Sequence, residues 1–250
     1  DKLNANEYTQ GTVASTGLSS INKGSAEGKV ETNVKNSALV ATQDLSVKNE
    51  ATTSLNNSVK QGEVAGVAVA VSASHVDVKD TLNVNIQNSA LQGQDVEVKS
   101  ETNGTITNYV GQGGFTVGKY ADTTAHVQHH GDNTIAIDNS KLVALGQVVG
   151  ELNPLRVLAK NTTQIDNTGF GLSMSGLTAG RLVLKGEDYA NVAVQLGENE
   201  KISGSNEFKS AGMLVKATNA PAVKDEITAN VTIGGFEFHG SIVESHARGK

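Results

Sequence analysis

The residues best equipped for chemistry lie in one short run, His126-Val127-Gln128-His129-His130. Two or three imidazoles on one face, with a carboxylate such as Asp122 or Asp132 beside them, would hold a transition metal. Period-two alternation puts His126 and His130 on one face of a strand and His129 on the other. That split, and the Gly131-Asp132-Asn133 turn that follows, favour a solvated strand edge over a metal centre. The carboxylates Asp77, Asp80, Asp95 and Glu97 could serve glycoside hydrolysis only if brought together from separate segments, and their spacing selects no pair. A polysaccharide lyase would need basic side chains beside calcium-binding Asp clusters, yet Arg is confined to Arg156, Arg181 and Arg248. The text holds no GGxGxD repeat, HExxH, GxSxG or phosphate loop. Tyr109, Tyr120 and Tyr189 could stack on sugars, although scattered aromatics read first as partial core. No catalytic, cofactor-binding or metal-binding residue is assigned. The expectation is a chain that is not an enzyme and carries no cofactor.

The elements that must position these residues announce themselves as a repeat. Val84–Glu101 reads VNIQNSALQGQDVEVKSE, and Asn33–Glu50 reads NVKNSALVATQDLSVKNE. Both carry Asn-Ser-Ala-Leu, at Asn36–Leu39 and Asn88–Leu91, then turn through Asp44 or Asp95 into a strand ending at Lys48 or Lys99. The Asn corners are 52 residues apart and the Asp turns 51. A third corner, Asn139-Ser140-Lys141-Leu142, follows after another 51 residues. There the loop Val148–Pro154 intervenes before the equivalent strand Leu155–Lys160. A fourth copy is more worn, with strand Asn191–Leu196, an expanded corner over Gly197–Phe208 and strand Met213–Thr218. Ala220–Ile233 and Phe236–Val243 begin a fifth. A Gly-apolar restart also recurs at Gly66, Gly114, Gly169 and Gly235.

Repeats of this length in an alternating-β text point to a stacked architecture, an all-β parallel β-helix with loop insertions in its C-terminal half. An antiparallel β-sandwich is the alternative, but its strands need not share one text at fixed spacing. At two coils per repeat the solenoid would have roughly 24–26 residues per coil and a length on the order of 40–50 Å. The whole chain reads as one segment: an incomplete first coil over 1–32, with short strands at Thr12–Ser15 and Lys29–Val34, clear repeats over 33–160, and degenerate repeats over 161–250. Stacked Asn36, Asn88 and Asn139 would form a broken ladder, with Asn88 buried between its neighbours. Gln61–Ala73 reads as a core strand with Val67, Val69 and Val71 inside and Ala outside. Its competing reading is a hydrophobic docking strip.

Composition agrees with a thin β-branched core: 37% hydrophobic residues, 4% aromatic, no Trp, 27 Gly and only two Pro. The absence of Cys removes disulfides and thiol chemistry. A net charge of −6 with both signs interspersed argues against a nucleic-acid partner, which calls for clustered Lys and Arg. No apolar run is long enough for a membrane-spanning helix, and no signal peptide is evident. The polar start and the abrupt HARGK end look like cuts in a longer polypeptide.

The order of Gly66–Val71, Thr81–Ile86, Asn88–Leu91 and Asp95–Lys99 resembles the repeat of the leukotoxin-type large filamentous adhesins. These are similar to the filamentous haemagglutinins that Gram-negative bacteria export by two-partner secretion. The resemblance covers Asn33–Lys160 clearly and Gly169–Val243 loosely. It implies a right-handed parallel β-helix, secreted or displayed on the bacterial cell surface as part of a larger virulence exoprotein. The implied partner is a host-cell receptor or glycan, and the implied activity is adhesive or, alternatively, cytotoxic.

Overall fold

The computed structural model describes residues 2–197 and 206–248 of the chain. Every strand ladder in it is parallel. The main sheet runs through β1 (Lys2–Lys35), β3 (Leu45–Gln87), β5 (Val96–Asp138) and β7 (Leu155–Asp188) to β10 (Met213–Asn219). β8 (Asn191–Leu196), β11 (Ala222–Ile233) and β12 (Phe236–Ala247) pair at its flanks. A second sheet stacks the short strands β2 (Ala38–Val40), β4 (Ala90–Gly93), β6 (Lys141–Ala144) and β9 (Glu207–Lys209). This is the expected parallel β-solenoid, and the parallel ladders exclude the sandwich.

One coil occupies a whole repeat, not half of one. Equivalent residues in adjacent coils are 51 apart between β3 and β5 and 59 apart between β5 and β7, as Asn57, Asn108 and Asn167 illustrate. The long strands make this possible because each folds back on itself. Gln61 meets Ser72, Asn57 meets Ser74, and Thr53 meets Asp80. An outbound arm and a return arm therefore lie face to face, joined by an arch near Gly66 and closed at the far end by the Asn-Ser corner and the short sheet. An arm of 22 residues, Leu45–Gly66, spans about 70 Å at strand rise, whereas five coils stack to only about 20–25 Å. The long dimension is thus the width of a coil, and the expected length of the stack is corrected accordingly. β1 supplies a single continuous strand where two short ones were expected. It covers only the positions equivalent to 54–87, so the first coil is incomplete within the described residues.

Alternation fills the slot between the arms in bands. Leu55, Ile106 and Ile165 stack at equivalent positions, as do Leu91 and Leu142 in the short sheet. Each such side chain contributes roughly 1.5–3 kcal/mol by leaving water. Between the apolar bands runs a polar one. Asn57 Nδ2 donates to Asn108 Oδ1 at 3.1 Å, Asn108 Nδ2 to Asn167 Oδ1 at 3.0 Å, and Asn167 Nδ2 to Asp225 Oδ1 at 2.7 Å. Asn57, Asn108 and Asn167 are fully buried. Because the donor of one amide meets the acceptor of the next, the repeat satisfies its own buried polar groups.

The corner ladder differs from expectation. Asn36, Asn88 and Asn139 do share a left-handed backbone, with φ of 50°, 50° and 43°. Asn suits such a turn because its short polar side chain tolerates that region. But Asn88 is exposed, and its contact with Asn139, 2.7 Å, lies at the surface. The buried member is the following Ser. The backbone N–H groups of Ser37 and Ser89 donate to Ser89 Oγ and Ser140 Oγ in the next coil, at 3.2 and 3.1 Å. In the fourth coil Asn206 replaces the serine and accepts from the Ser140 N–H at 3.0 Å.

Replacing Asn108 by Leu leaves Asn57 and Asn167 without their ladder partners and should cost on the order of 1–3 kcal/mol in a urea titration. Asn88→Gly, which keeps the left-handed turn, should stay within about 0.5 kcal/mol of the parent. Equal losses at the two positions would contradict the assignment of the buried ladder. Small-angle scattering should give a maximum dimension near the arm length of about 70 Å.

Candidate functional site

The three histidines divide as alternation requires. His126 and His130 face outward and His129 inward. His129 sits in the slot between two carboxylates from neighbouring coils. Its Nδ1 lies 2.8 Å from Asp188 Oδ2, and its Nε2 lies 3.5 Å from Asp80 Oδ2. Thr53 Oγ1 and the Ala190 N–H donate to the other oxygens of Asp80 and Asp188. Gly131 leaves the ring its space, since a Cβ there would approach His129 Cε1 to 2.9 Å. The two carboxylates occupy opposite ring nitrogens, so the three groups cannot converge on one ion. Among the described residues no group of three or more metal-ligating side chains does so. Burial disfavours the charged imidazole, but the hydrogen bond to Asp188 and the nearby negative charges of Asp188 and Asp80 outweigh it and raise its pKa to about 9. His129 is therefore a cation that cements three coils.

On the outer face His126 Nε2 lies 2.9 Å from Glu187 Oε2, which also accepts from Gln128 at 3.0 Å. Tyr189 OH donates to Glu187 Oε1 at 2.6 Å, and Lys185 Nζ lies 3.1 Å away. Burial opposes ionisation of Glu187, but hydrogen bonds from Tyr189, Gln128, His126 and Lys185 hold its pKa well below the usual carboxylate range. His130 stacks on Tyr189 at 5.1 Å, and His75 meets His126 edge-on at 5.0 Å. The other candidates stay apart. Asp77 pairs with Lys79 on the surface, while Asp95 and Glu97 share Arg156 at the corner. Tyr109 carries Lys60 over its ring on the outbound arm, whereas Tyr120 and Tyr189 lie on return arms, so the three tyrosines form no common platform.

The largest departure from the sequence reading is at the arch. Ala68 and Ala70 are inside, and Val67 and Val69 are outside, at 59% and 50% exposure. The equivalent outward positions in later coils mostly carry larger side chains, with Gly118 and Ala179 the exceptions. Val64, Phe115, Met174 and Ile233 form one exposed row, and Val67, Leu177 and Phe236 another. Phe115 is 58% exposed and Phe236 71%. Met174 and Ile233 are equivalent through the pairing of β7 with β11. The core reading is thus corrected: the alanines, and not the valines, face the slot. Of the Gly-apolar restarts, Gly66 and Gly235 lie at the arch. Gly114 is instead paired with Glu63, and Gly169 with Val110. Gly169 faces the slot and gives room to Leu182 and Leu184 of the opposite arm.

Beneath the rim is a buried ion pair that the sequence reading missed. Lys119 Nζ lies 2.7 Å from Glu63 Oε1, with both side chains almost wholly enclosed. The approach does not align a hydrogen bond, and Glu63 Oε2 has no donor. Gly114 makes the space, because a Cβ there would overlap the Glu63 side chain. The signal in the sequence was a Gly opposite a Glu 51 residues earlier, and it becomes readable only when the one-coil pitch is known.

The Val148–Pro154 insertion is an exposed tip, closed by reciprocal bonds between Val149 and Leu152 at 3.2 and 3.0 Å and turned at Gly150 with φ of 60°. The fourth-copy loop over 198–205 lies outside the described residues. Among the described residues no helix is long and apolar enough to cross a membrane. Comparison with family models, with curated proteins and with solved structures gave no match.

The folded pKa of His129 lies above its ordinary 6.5, so its contribution is complete below pH 6.5 and is lost as pH rises through about 9. The urea midpoint of the parent should fall between pH 7 and pH 10. In His129→Leu that fall should be absent, and at pH 7 the variant should lose about 3–5 kcal/mol because two buried carboxylates face each other unpaired. An unchanged pH slope in the variant would remove the cationic role.

Proposed function

We propose that this chain is a structural and adhesive segment of a large bacterial exoprotein, secreted or displayed at the cell surface and similar in kind to the filamentous haemagglutinins. The observation that carries this reading is the apolar rim. It sets aromatic and branched side chains in rows along the edge of a rigid stack. Contiguous exposed apolar surface of this size marks a contact site more often than a neutral surface. The polar bands and ion pairs support the same reading, since they hold the coils in register and so keep the rim residues fixed without cost to a binding partner. The histidine and carboxylate groups fit structural roles, because their bonds are made to one another and not to an open cleft. The partner proposed is a host-cell receptor or glycan, with the remainder of the parent polypeptide flanking the segment.

The test is to apply the purified chain to host cells and to score attachment and lysis separately. Saturable attachment without lysis is expected. Lysis by the segment alone would favour a leukotoxin-like cytotoxin instead. Phe236→Ser combined with Phe238→Ser should weaken attachment at least about tenfold, as loss of aromatic anchors does. Product release from any member of a polysaccharide panel would replace the adhesive reading by an enzymatic one.

A further inference from the structure

We propose that the arch rim is where two copies of this chain pair, rim against rim, about a twofold axis that sets their stacks antiparallel. The inference rests on reading the rim as a contact surface, and it names the partner. Three observations select a second copy.

The first is area. Val64, Val67, Val69, Phe115, Val117, Tyr120 and the large apolar side chains at equivalent positions of the last two coils are each about two-fifths to three-quarters exposed. Together they present on the order of 1,000 Å² of apolar side chain, against about 800 Å² per partner in a standard interface. The second is spacing. The rows repeat at the distance between coils, about 4.8 Å. A second copy has the same spacing, so its rows stay in step with these along the whole rim, as identical strands do in a dry zipper. The third is shape and charge. Small and large residues alternate along the rows of the arch: Gly66, Val117 and Gly176 in one, Val67, Gly118 and Leu177 in the next, and Val69, Tyr120, Ala179 and Phe238 in a third. A twofold axis midway between the third and fourth coils sets each row against itself in reverse order, which brings the Leu177 of one copy over the Gly118 of the other, Val117 over Gly176 and Tyr120 over Ala179. Within the arch segments 62–70, 113–121, 172–180 and 231–238 the charged residues are Glu63, Lys119 and Glu237. Glu63 and Lys119 neutralise each other in the interior. Two rims therefore meet without like-charge opposition, and the rim lacks the cluster of exposed cations with which an anionic membrane is held.

The experiment is sedimentation velocity of the 250-residue chain across a concentration series, with cysteine cross-linking to fix the arrangement. The chain has no Cys, so introduced thiols are the only ones present. A monomer–dimer equilibrium in the micromolar range is expected, with at least a tenfold weakening in Phe115→Ser with Phe236→Ser. These side chains are exposed, and an unchanged far-UV spectrum will show that the variant remains folded. Val67→Cys and Phe236→Cys chains should cross-link to each other when mixed, faster than Phe236→Cys chains cross-link among themselves. A chain that stays monomeric throughout, a dimer indifferent to the serine variant, or preferential Phe236→Cys self-cross-linking would each overturn the proposal. Binding of a monomeric chain to neutral lipid vesicles through the rim would overturn it in favour of a membrane. Cell attachment by the same variants separates the two readings. Loss of attachment in the serine variant of a chain that is always monomeric would leave adhesion standing and remove self-pairing. Unchanged attachment by a variant that no longer dimerises would support self-pairing and remove the rim from adhesion.

Discussion

In-register parallel pairing between coils is the constraint on which the other features depend. A strand of 43 residues meets its neighbour at a constant offset along almost its whole length. Every inward position is therefore stacked on its own equivalent, and only residue types that tolerate self-stacking can occupy the slot. Leu, Ile and Val do so through dispersion and loss of water, and Asn does so through an amide that both donates and accepts. Charged groups cannot stack on themselves. Where they occur inside, they alternate in sign from coil to coil: Glu63 beneath Lys119, and Asp80, His129 and Asp188 in order.

The same constraint governs where the repeat can vary. The long insertions do not interrupt the ladders, although one extra residue, Thr228, makes a bulge where β11 pairs with β7. The extra residues between β6 and β7 project from the end of the coil as the Val149–Leu152 tip, and the sheet resumes at Leu155 opposite Val96. At the corner, the requirement is a left-handed residue followed by a side chain that bridges to the next coil. Asn-Ser meets it three times. When the corner lengthens in the fourth coil, Gly197 supplies the positive φ and Asn206 supplies the bridge. The outer face near the corner is held by a lattice of opposite charges, Lys48–Glu97–Arg156 and Glu50–Lys99 with Glu101–Lys160. Each exposed pair adds about 0–1 kcal/mol at most.

The arch is the place where stacking gives way to exposure. Two sheets are joined there with no third to cover the outside, so the outward positions of the last few residues face solvent whatever their chemistry. That most of these positions are Val, Phe, Met, Ile, Leu or Tyr over four coils is a property of this sequence and not a demand of the fold. Ser or Thr would serve the backbone equally well. It is this difference between what the fold needs and what the chain supplies that supports the proposed contact role of the rim.

The sequence by itself determined the fold class, the repeat, the Asn-Ser corner with its left-handed turn, the strands of the later copies and the opposite facing of His126 and His129. These follow from local chemistry: period two, short polar side chains at a turn, and equal text at equal spacing. The tertiary structure alone decided the coil length, because a 51-residue repeat is compatible with one wide coil or two narrow ones until the arms are seen to face each other. It also decided which side of each arm is buried. Inward residues are odd-numbered from Val47 to Glu63 and even-numbered from Ala68 to Ile86, because the arch shifts the alternation by one position. A reading that carries one phase through Gly66 turns Val67 and Val69 inward and hides the rim. Asn88 was misplaced for a related reason: a left-handed corner residue points away from the slot, and its neighbour Ser89 turns in to meet the next coil. In each case the deciding quantity is the contact between segments far apart in sequence, which no local pattern contains.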